Sequence, residues 1–308
     1  MAKVPPRSRR AARRRPAHRR TPKHVGFRRV VALLVVVLAT ELAWKGGLLH
    51  LHHHTPATRI TIRTVAAGGG LPPLAGPESV TRAQTQDTLD RFVSYGDPVY
   101  CGGGNKPLVA LTFDDGPGPY TQRVVDMLKR AGARATFFIV AKEIEGWPQL
   151  ANEPRQEATV GAIGDHTYDH IDLIGATQQQ LDHEIVDSQQ VIQQHSGADV
   201  RLFRPPYGHH DIIVDHEVQA QGMLEVMWSV DSRDGVTGTT DTQVLQNVEQ
   251  GLRPGAIVLM HENRGTTLHD LPRILQAIRA RGLHTVTVPE LLAADPPSIS
   301  QLRSGICH

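Results

Sequence analysis

The chain has 308 residues, 40% of them hydrophobic, with 33 Lys+Arg against 31 Asp+Glu, 21 Pro and two Cys. That length gives one or two domains with enough apolar content for a sizeable core, which excludes wholesale disorder, a disulfide-built miniprotein and a protein of many membrane spans. The formal charge of +2 hides an asymmetry: residues 1–29 hold 12 of the bases and no acid, leaving 21 bases against 31 acids over the remainder.

In chain order, residues 1–29 are rich in Arg, Pro and Ala, cannot form a core, and read as a disordered cytoplasmic tail. Val30–Ala39 are unbroken apolar residues, and Leu42–Trp44 extend the run. Continued to Leu51 it is long enough to span a bilayer, so residues 30–51 read as an uncleaved membrane anchor, tail inside and body outside. Export with signal cleavage is the alternative. A basic tail set against an apolar run is topogenic, so no nucleic-acid partner is expected. Residues 52–77 are polar and Gly/Pro-rich, a flexible stalk. Its neighbouring cluster His50, His52, His53 and His54 reads as adventitious surface metal binding.

Residues 78–308 form the body. A helix is expected over Glu78–Val93, then strands at Leu108–Phe113, Ala135–Val140, Val200–Arg204, Glu225–Val230, Ala256–His261 and His284–Val288. Helices are expected at Tyr120–Ala131, Thr177–His195, Asp215–Gln221, Asp241–Gln250 and Leu271–Arg281. Strands alternating with helices imply a parallel sheet covered by helices. Several apolar runs stop at acids, histidines or Arg-Pro-Pro-Tyr-Gly, which gathers chemistry at strand C-termini as in an α/β barrel.

Thr112-Phe113-Asp114-Asp115-Gly116-Pro117 ends a strand in two adjacent carboxylates before a Gly-Pro turn. On an extended chain neighbouring side chains point different ways, so one carboxylate could bind a cation while the other faces a substrate. His166 and His170, four apart in His-Thr-Tyr-Asp-His, would share a face on a helical turn, as in zinc hydrolases. Chance alone supplies roughly one such pair in a chain this rich in His, so the pair gains meaning from its company. Arg204-Pro205-Pro206-Tyr207-Gly208 is a rigid turn that could hold the Arg against a carboxylate and aim a backbone N–H at an oxyanion. Trp228–Asp234 ends another run in acids, and Leu259-Met260-His261 ends a third in a histidine.

Together and in this order these five landmarks resemble the NodB-homology polysaccharide deacetylases, carbohydrate esterase family 4, from Thr112 to about Leu292. The resemblance implies a distorted (β/α) barrel of about seven strands and hydrolysis of N-acetyl groups on glycans. It implies Asp115, His166 and His170 as ligands of Zn²⁺ or another divalent metal, Asp114 as catalytic base and His261 as catalytic acid. It further implies that Arg204 holds the base, Asp234 tunes the acid, the Tyr207 N–H completes an oxyanion hole, and Trp228, Leu259 and Pro205 wall the acetyl groove. Asp231 is the nearby rival to Asp234. One departure stands out: Gly235 follows Asp234 where the family usually has Trp, and residues 236–240 could fill the space.

An anchored, outward-facing enzyme meets cell-envelope glycan first, so the expected substrate is peptidoglycan amino sugar, with chitin oligomers or acetylated xylan as alternatives. A reading of another class is an inactive glycan-binding module, which needs neither a base nor an acid. Cys101 and Cys307 flank the body, and barrel closure would bring them together for a disulfide in an oxidising compartment.

Overall fold

The structure, a computed structural model, describes Leu74 and residues 80–307. The tail, the anchor and nearly all of the stalk lie outside those residues. Among the described residues no helix is long and apolar enough to cross a membrane.

The centre of the fold is β1 (Leu108–Gly116), whose burial is almost unbroken along its length, as an apolar run covered on both faces should be. Around it lie β2 (Ala135–Ile139), β3 (Gly161–Asp165), β4 (Leu202–Phe203), β5 (Leu224–Glu225), β6 (Val230–Asp231), β7 (Ile257–His261) and β8 (His284–Val286). The sheet runs β5-β4-β3-β2-β1-β7-β6, all pairs parallel, and β8 pairs with the first residues of β1. This is the expected barrel in open form, seven strands in a path with an eighth beside the centre. Parallel pairing puts every strand C-terminus at one end, so the landmarks converge without adjacency in sequence.

Two strand assignments differ from expectation. Residues 225–230 are not one strand: β5 pairs with β4 and β6 with β7, and residues 226–229 cross from one sheet edge to the other. Each ladder is claimed by a different neighbour, which a single apolar run does not reveal. Gly161–Asp165, too short and Gly-rich to read as a strand, is one because Gly161 and Gly164 let β3 lie close against β2; a Cβ on Gly164 would meet the Phe138 ring.

Helices cover the sheet. Several of their starts are written as Ser/Thr-x-x-Gln/Glu boxes: Thr81/Gln84 opens α1 (Arg82–Tyr95), Thr240/Gln243 opens Asp241–Gly251 and Thr287/Glu290 opens Val288–Ala294. The expected helix from Thr177 is continuous to Ser196 but widens to π geometry over Asp182–Asp187. The large helix Gly265–Ala280 buries Leu268, Leu271, Ile274, Leu275 and Ile278 against the sheet at i, i+3, i+4 spacing. Cys101 and Cys307 are joined by a disulfide with Cα atoms 6.1 Å apart, tying the segment before β1 to the C-terminal segment.

Candidate active site

A cleft of about 240 Å³ opens at the C-terminal end of the sheet, lined by Asp114, Asp115, His166, His170, Pro205, Tyr207, Trp228, Leu259 and His261 among others. Nine of the eleven residues named from the sequence therefore share one cavity. The other two, Arg204 and Asp234, are buried directly behind it.

The two carboxylates meet there because β1 is irregular. Its register against β2 slips between Asp114 and Gly116, and Asp115 adopts φ +66°. On a regular strand the pair would point to opposite faces; the slip swings both toward the histidines. His166 Nε2 lies 3.7 Å from Asp114 Oδ2 and 3.6 Å from Asp115 Oδ1, and His170 Nε2 lies 3.3 Å from Asp115 Oδ1. Gly116 is required by what lies beneath: a Cβ there would collide with the buried Glu262 carboxyl. Burial pushes Glu262 up to about 7, and burial and Glu262 raise the equally buried Glu157 well above its ordinary value.

The histidines do not share a helical turn. β3 ends at Asp165, and the residues after it form a loop with Thr167 at φ +69° and His170 at φ +59°. Asp165 Oδ1 pins the loop by accepting from the Thr167 N–H at 2.9 Å and the Ser188 hydroxyl at 2.6 Å. The Thr167 hydroxyl accepts from the His170 N–H at 3.0 Å. Five non-glycine residues among those described have positive φ, namely Asp115, Thr167, His170, Tyr207 and Arg233. Asp115 sits at the irregular end of β1 and the other four in the segments after β3, β4 and β6, all at the cleft end of the sheet, where strained backbone concentrates at functional sites.

Three observations show that Asp115, His166 and His170 suit a divalent cation. Asp115 Oδ1 is buried and accepts no hydrogen bond. His166 Nδ1 donates to the Arg204 carbonyl at 2.6 Å, which leaves the Nε2 lone pair facing Asp115. The Nε2–Oδ1 separations of 3.6 and 3.3 Å bracket the edge of about 3.4 Å expected between ligands 2.0–2.1 Å from a tetrahedral Zn²⁺. Burial would raise the Asp115 pKa, but His166, His261, His170 and Arg264 outweigh it and hold the carboxyl below its ordinary range. Burial and His166 hold His170 below the ordinary imidazole value, keeping the ring neutral and able to ligate.

Arg204 is fully buried and spends its donors on four acceptors: Asp114 Oδ1 at 2.7 Å, Thr112 Oγ1 at 2.8 Å, and the Val226 and Met227 carbonyls at 2.9 and 3.0 Å. Its guanidinium also stacks 4.1 Å over Phe138. Burial lowers its pKa and the Asp114 pair opposes this. Asp114 is thus held with Oδ1 on Arg204 and Oδ2 toward His166 and the cleft.

Asp114 pairs in register with His261 on β7. Asp234 Oδ1 accepts from His261 Nδ1 at 2.7 Å, while Oδ2 accepts from the His261 backbone N–H at 2.7 Å and from the Thr267 hydroxyl. Burial alone would lower the His261 pKa; the Asp234 bond and charge, with Asp114 and Asp115, raise it to about 9. Asp231, the rival, is exposed and accepts from the Arg233 N–H instead. A Cβ on Gly235 would lie 3.0 Å from His261 Cε1, so the bare glycine packs on the imidazole, while its other side borders an open hollow shared with residues 236–239. Val236 lines the cleft at its rim, half exposed.

Sequence reasoning missed Asn263, whose Nδ2 lies 3.4 Å from Asp115 Oδ2, and Arg264, whose Nη2 lies 4.0 Å from it. It also missed Thr112 and Thr267, which hold Arg204 and Asp234. The signal for the first two was their place directly after His261 at a strand end.

An open parallel α/β barrel with a two-histidine, one-aspartate cluster, a held carboxylate and a charged histidine defines a metallohydrolase type of site. The comparisons give the family. A family described as polysaccharide deacetylase matches residues 102–226. A peptidoglycan-N-acetylglucosamine deacetylase of Bacillus cereus is 32% identical over 194 residues, 61% of this chain and 89% of that one. The solved Bc1960 peptidoglycan N-acetylglucosamine deacetylase superposes with TM-score 0.60 at 28% identity, over 65% of this chain and 94% of that one. A carbohydrate esterase family 4 pseudoenzyme from Bacillus anthracis superposes with TM-score 0.59 at 26% identity, over 66% and 70%. The chain belongs to the polysaccharide deacetylases of carbohydrate esterase family 4.

Proposed function

We propose that this protein is a divalent-metal N-deacetylase that removes acetyl groups from the amino sugars of peptidoglycan. The observation that carries it is the pairing of two proton-transfer groups beside one metal-ligand cluster: Asp114 held by Arg204, and His261 held by Asp234. A glycan-binding module needs neither.

Asp115, His166 and His170 would hold the cation, with Zn²⁺ the ion that best suits their donor set. When bound, that ion supplies Lewis-acid polarisation of the acetamide carbonyl and acidifies water. Asp114 accepts the proton of the attacking water through the oxygen that Arg204 leaves free. Fixing Asp114 with a fully buried guanidinium keeps it aimed, so little reorganisation is needed in the transition state. The left-handed Tyr207 turns its backbone N–H toward the developing oxyanion, and Trp228, Leu259 and Pro205 form the apolar walls that seat the acetyl methyl. His261 donates a proton to the departing amine nitrogen; Asp234 keeps that proton in place up to alkaline pH. Water adds to the acetyl carbon, the C–N bond breaks, and acetate and a free amine leave.

We place this domain outside the cytoplasm on the anchor of residues 30–51. The Cys101–Cys307 disulfide supports an oxidising compartment. The second reading, an inactive module, is supported by the similarity to a pseudoenzyme. The test is acetate release by the full chain with Zn²⁺ on peptidoglycan, chitin oligomers and acetylated xylan, with mass spectrometry locating the deacetylated sugar. Release from peptidoglycan glucosamine supports the proposal. Release only from another polymer moves the substrate, and no release from any by the metal-loaded protein favours the module.

A further inference from the structure

A second convergence of ligand-type side chains lies outside the cleft, just past the turn that carries Tyr207. His210 Nδ1 is 2.9 Å from Asp215 Oδ1 and 3.3 Å from Glu225 Oε1. His210 stands in the loop after the 3₁₀ turn Pro206–Gly208, Asp215 on the helix Ile212–Ala220 and Glu225 at the end of β5. Glu225 is 5% exposed, and neither of its oxygens has a hydrogen-bond donor. A carboxyl this deeply buried costs several kcal/mol unless something neutralises it.

The other ring nitrogen narrows what that something is. His210 Nε2 lies 3.4 Å from the Tyr100 hydroxyl. In the tautomer that donates Nε2–H to Tyr100, the Nδ1 lone pair faces Asp215 and Glu225, an arrangement that a cation among them would neutralise, as would a proton on Glu225. A histidine whose remaining N–H is fixed by an outer partner is the usual form of a metal-ligating imidazole. The 3.3 Å spacing is close to the edge of about 3.4 Å between ligands of a tetrahedral Zn²⁺, while the 2.9 Å spacing is that of a hydrogen bond and would open slightly around an ion. On the far side of Asp215 and Glu225 lies a cavity of about 10 Å³, also lined by Asp97, with room for about one water.

We propose that His210, Asp215 and Glu225 form a second divalent-cation site of imidazole–dicarboxylate type, suited to Zn²⁺ and structural in role. An ion there ties the loop after Tyr207, the following helix and β5 into one unit. The site shares no residue with the cleft, so its fate is independent of the proposed catalysis. The competing explanation is a proton in place of the metal, held by Glu225, whose carboxyl is pushed up to about 9 by burial and Asp215, with His210 Nδ1 hydrogen-bonded to Asp215.

The test is metal content of the full chain after equilibrium dialysis against Zn²⁺, read as differences between variants. The histidines at 50 and 52–54 then contribute a background common to all. Glu225→Gln and, separately, Asp215→Asn should each lose one equivalent relative to wild type while keeping the equivalent that His170→Ala removes. Loaded with Co²⁺, His170→Ala should retain visible d–d absorption above the background of the histidines at 50 and 52–54, and Glu225→Gln added to it should reduce the absorption to that background. If Glu225→Gln and Asp215→Asn both retain the wild-type count while His170→Ala loses one, the second site is overturned and the cleft site stands. If His170→Ala alone leaves the count unchanged while Glu225→Gln lowers it, the reverse holds.

Discussion

The His261–Asp234 pair allows the most exact test of the proposed chemistry. Raising an imidazole from its ordinary 6.5 to about 9 stabilises the charged form by about 3 kcal/mol, at about 1.4 kcal/mol per pH unit. Burial works against that rise, so the Asp234 contribution is larger than the net. In Asp234→Asn the imidazole can keep one acceptor, but an NH₂ replaces the oxygen that takes the His261 backbone N–H. Two donors then face each other, which costs about 1–3 kcal/mol of stability. The acid form of His261 should therefore be lost at lower pH. The alkaline limb of kcat/KM for acetate release should fall by about two pH units, with metal content unchanged. In the loaded site a cation offsets the Asp115 charge, so the wild-type limb lies below 9, yet the difference between the two proteins persists.

Stability gives an independent reading on metal-free protein. His261 has a raised folded pKa, so its contribution is fully present below about 6.5 and is lost as pH rises through about 9. Wild type should lose about 3 kcal/mol across that window from this group, a fall in Tm of about 10 °C for a domain of this size. Glu225 and Glu262 are also raised, to about 9 and about 7, and add the same slope to both proteins. The difference between wild type and Asp234→Asn isolates the pair. An unchanged kinetic profile with an unchanged stability slope would refute the assignment of His261 as an acid tuned by Asp234.

Asp114→Asn should keep its metal and lose turnover by about 10²–10⁴-fold, whereas His170→Ala should lose the metal itself; elemental analysis beside acetate assays separates the two. Arg204→Met should fold less stably by about 3–5 kcal/mol in chemical denaturation, because it leaves the Asp114 charge buried without a partner. Gly235→Trp should lower activity rather than restore a family feature, since even the Cβ displaces the His261 ring; a pH profile at least as active as wild type would contradict this. Reduction of Cys101–Cys307, which closes a loop across 206 residues, should cost about 2–5 kcal/mol, seen as a drop in Tm under reductant.

The identities of the site residues were legible from the sequence because the chemistry demands particular side chains at strand ends. Asp114, Asp115, Arg204, Tyr207, Asp234 and His261 follow apolar runs that read as strands, whereas His166 and His170 are legible through their spacing and the order of motifs that resembles the family, since Gly161–Asp165 before them does not read as a strand. The parallel α/β class was legible too, from strands alternating with amphipathic helices. What pattern reading could not supply was geometry set by neighbours distant in sequence. The bulge that turns both carboxylates inward depends on β1 slipping against β2, and the loop holding the histidines depends on Asp165 and Ser188. The run at 225–230 divides because its two halves find different ladders, a matter of which sheet edge each reaches. What Gly235 borders was equally out of reach of the sequence: the structure sets its bare backbone against the His261 ring on one side and an open hollow with residues 236–239 on the other. His210 and Glu225 stand 15 positions apart with no motif between them, and only the packing of β5 against the turn after Pro206 brings them within 3.3 Å. Sequence determined which groups are present, and the tertiary structure decided which of them are buried together.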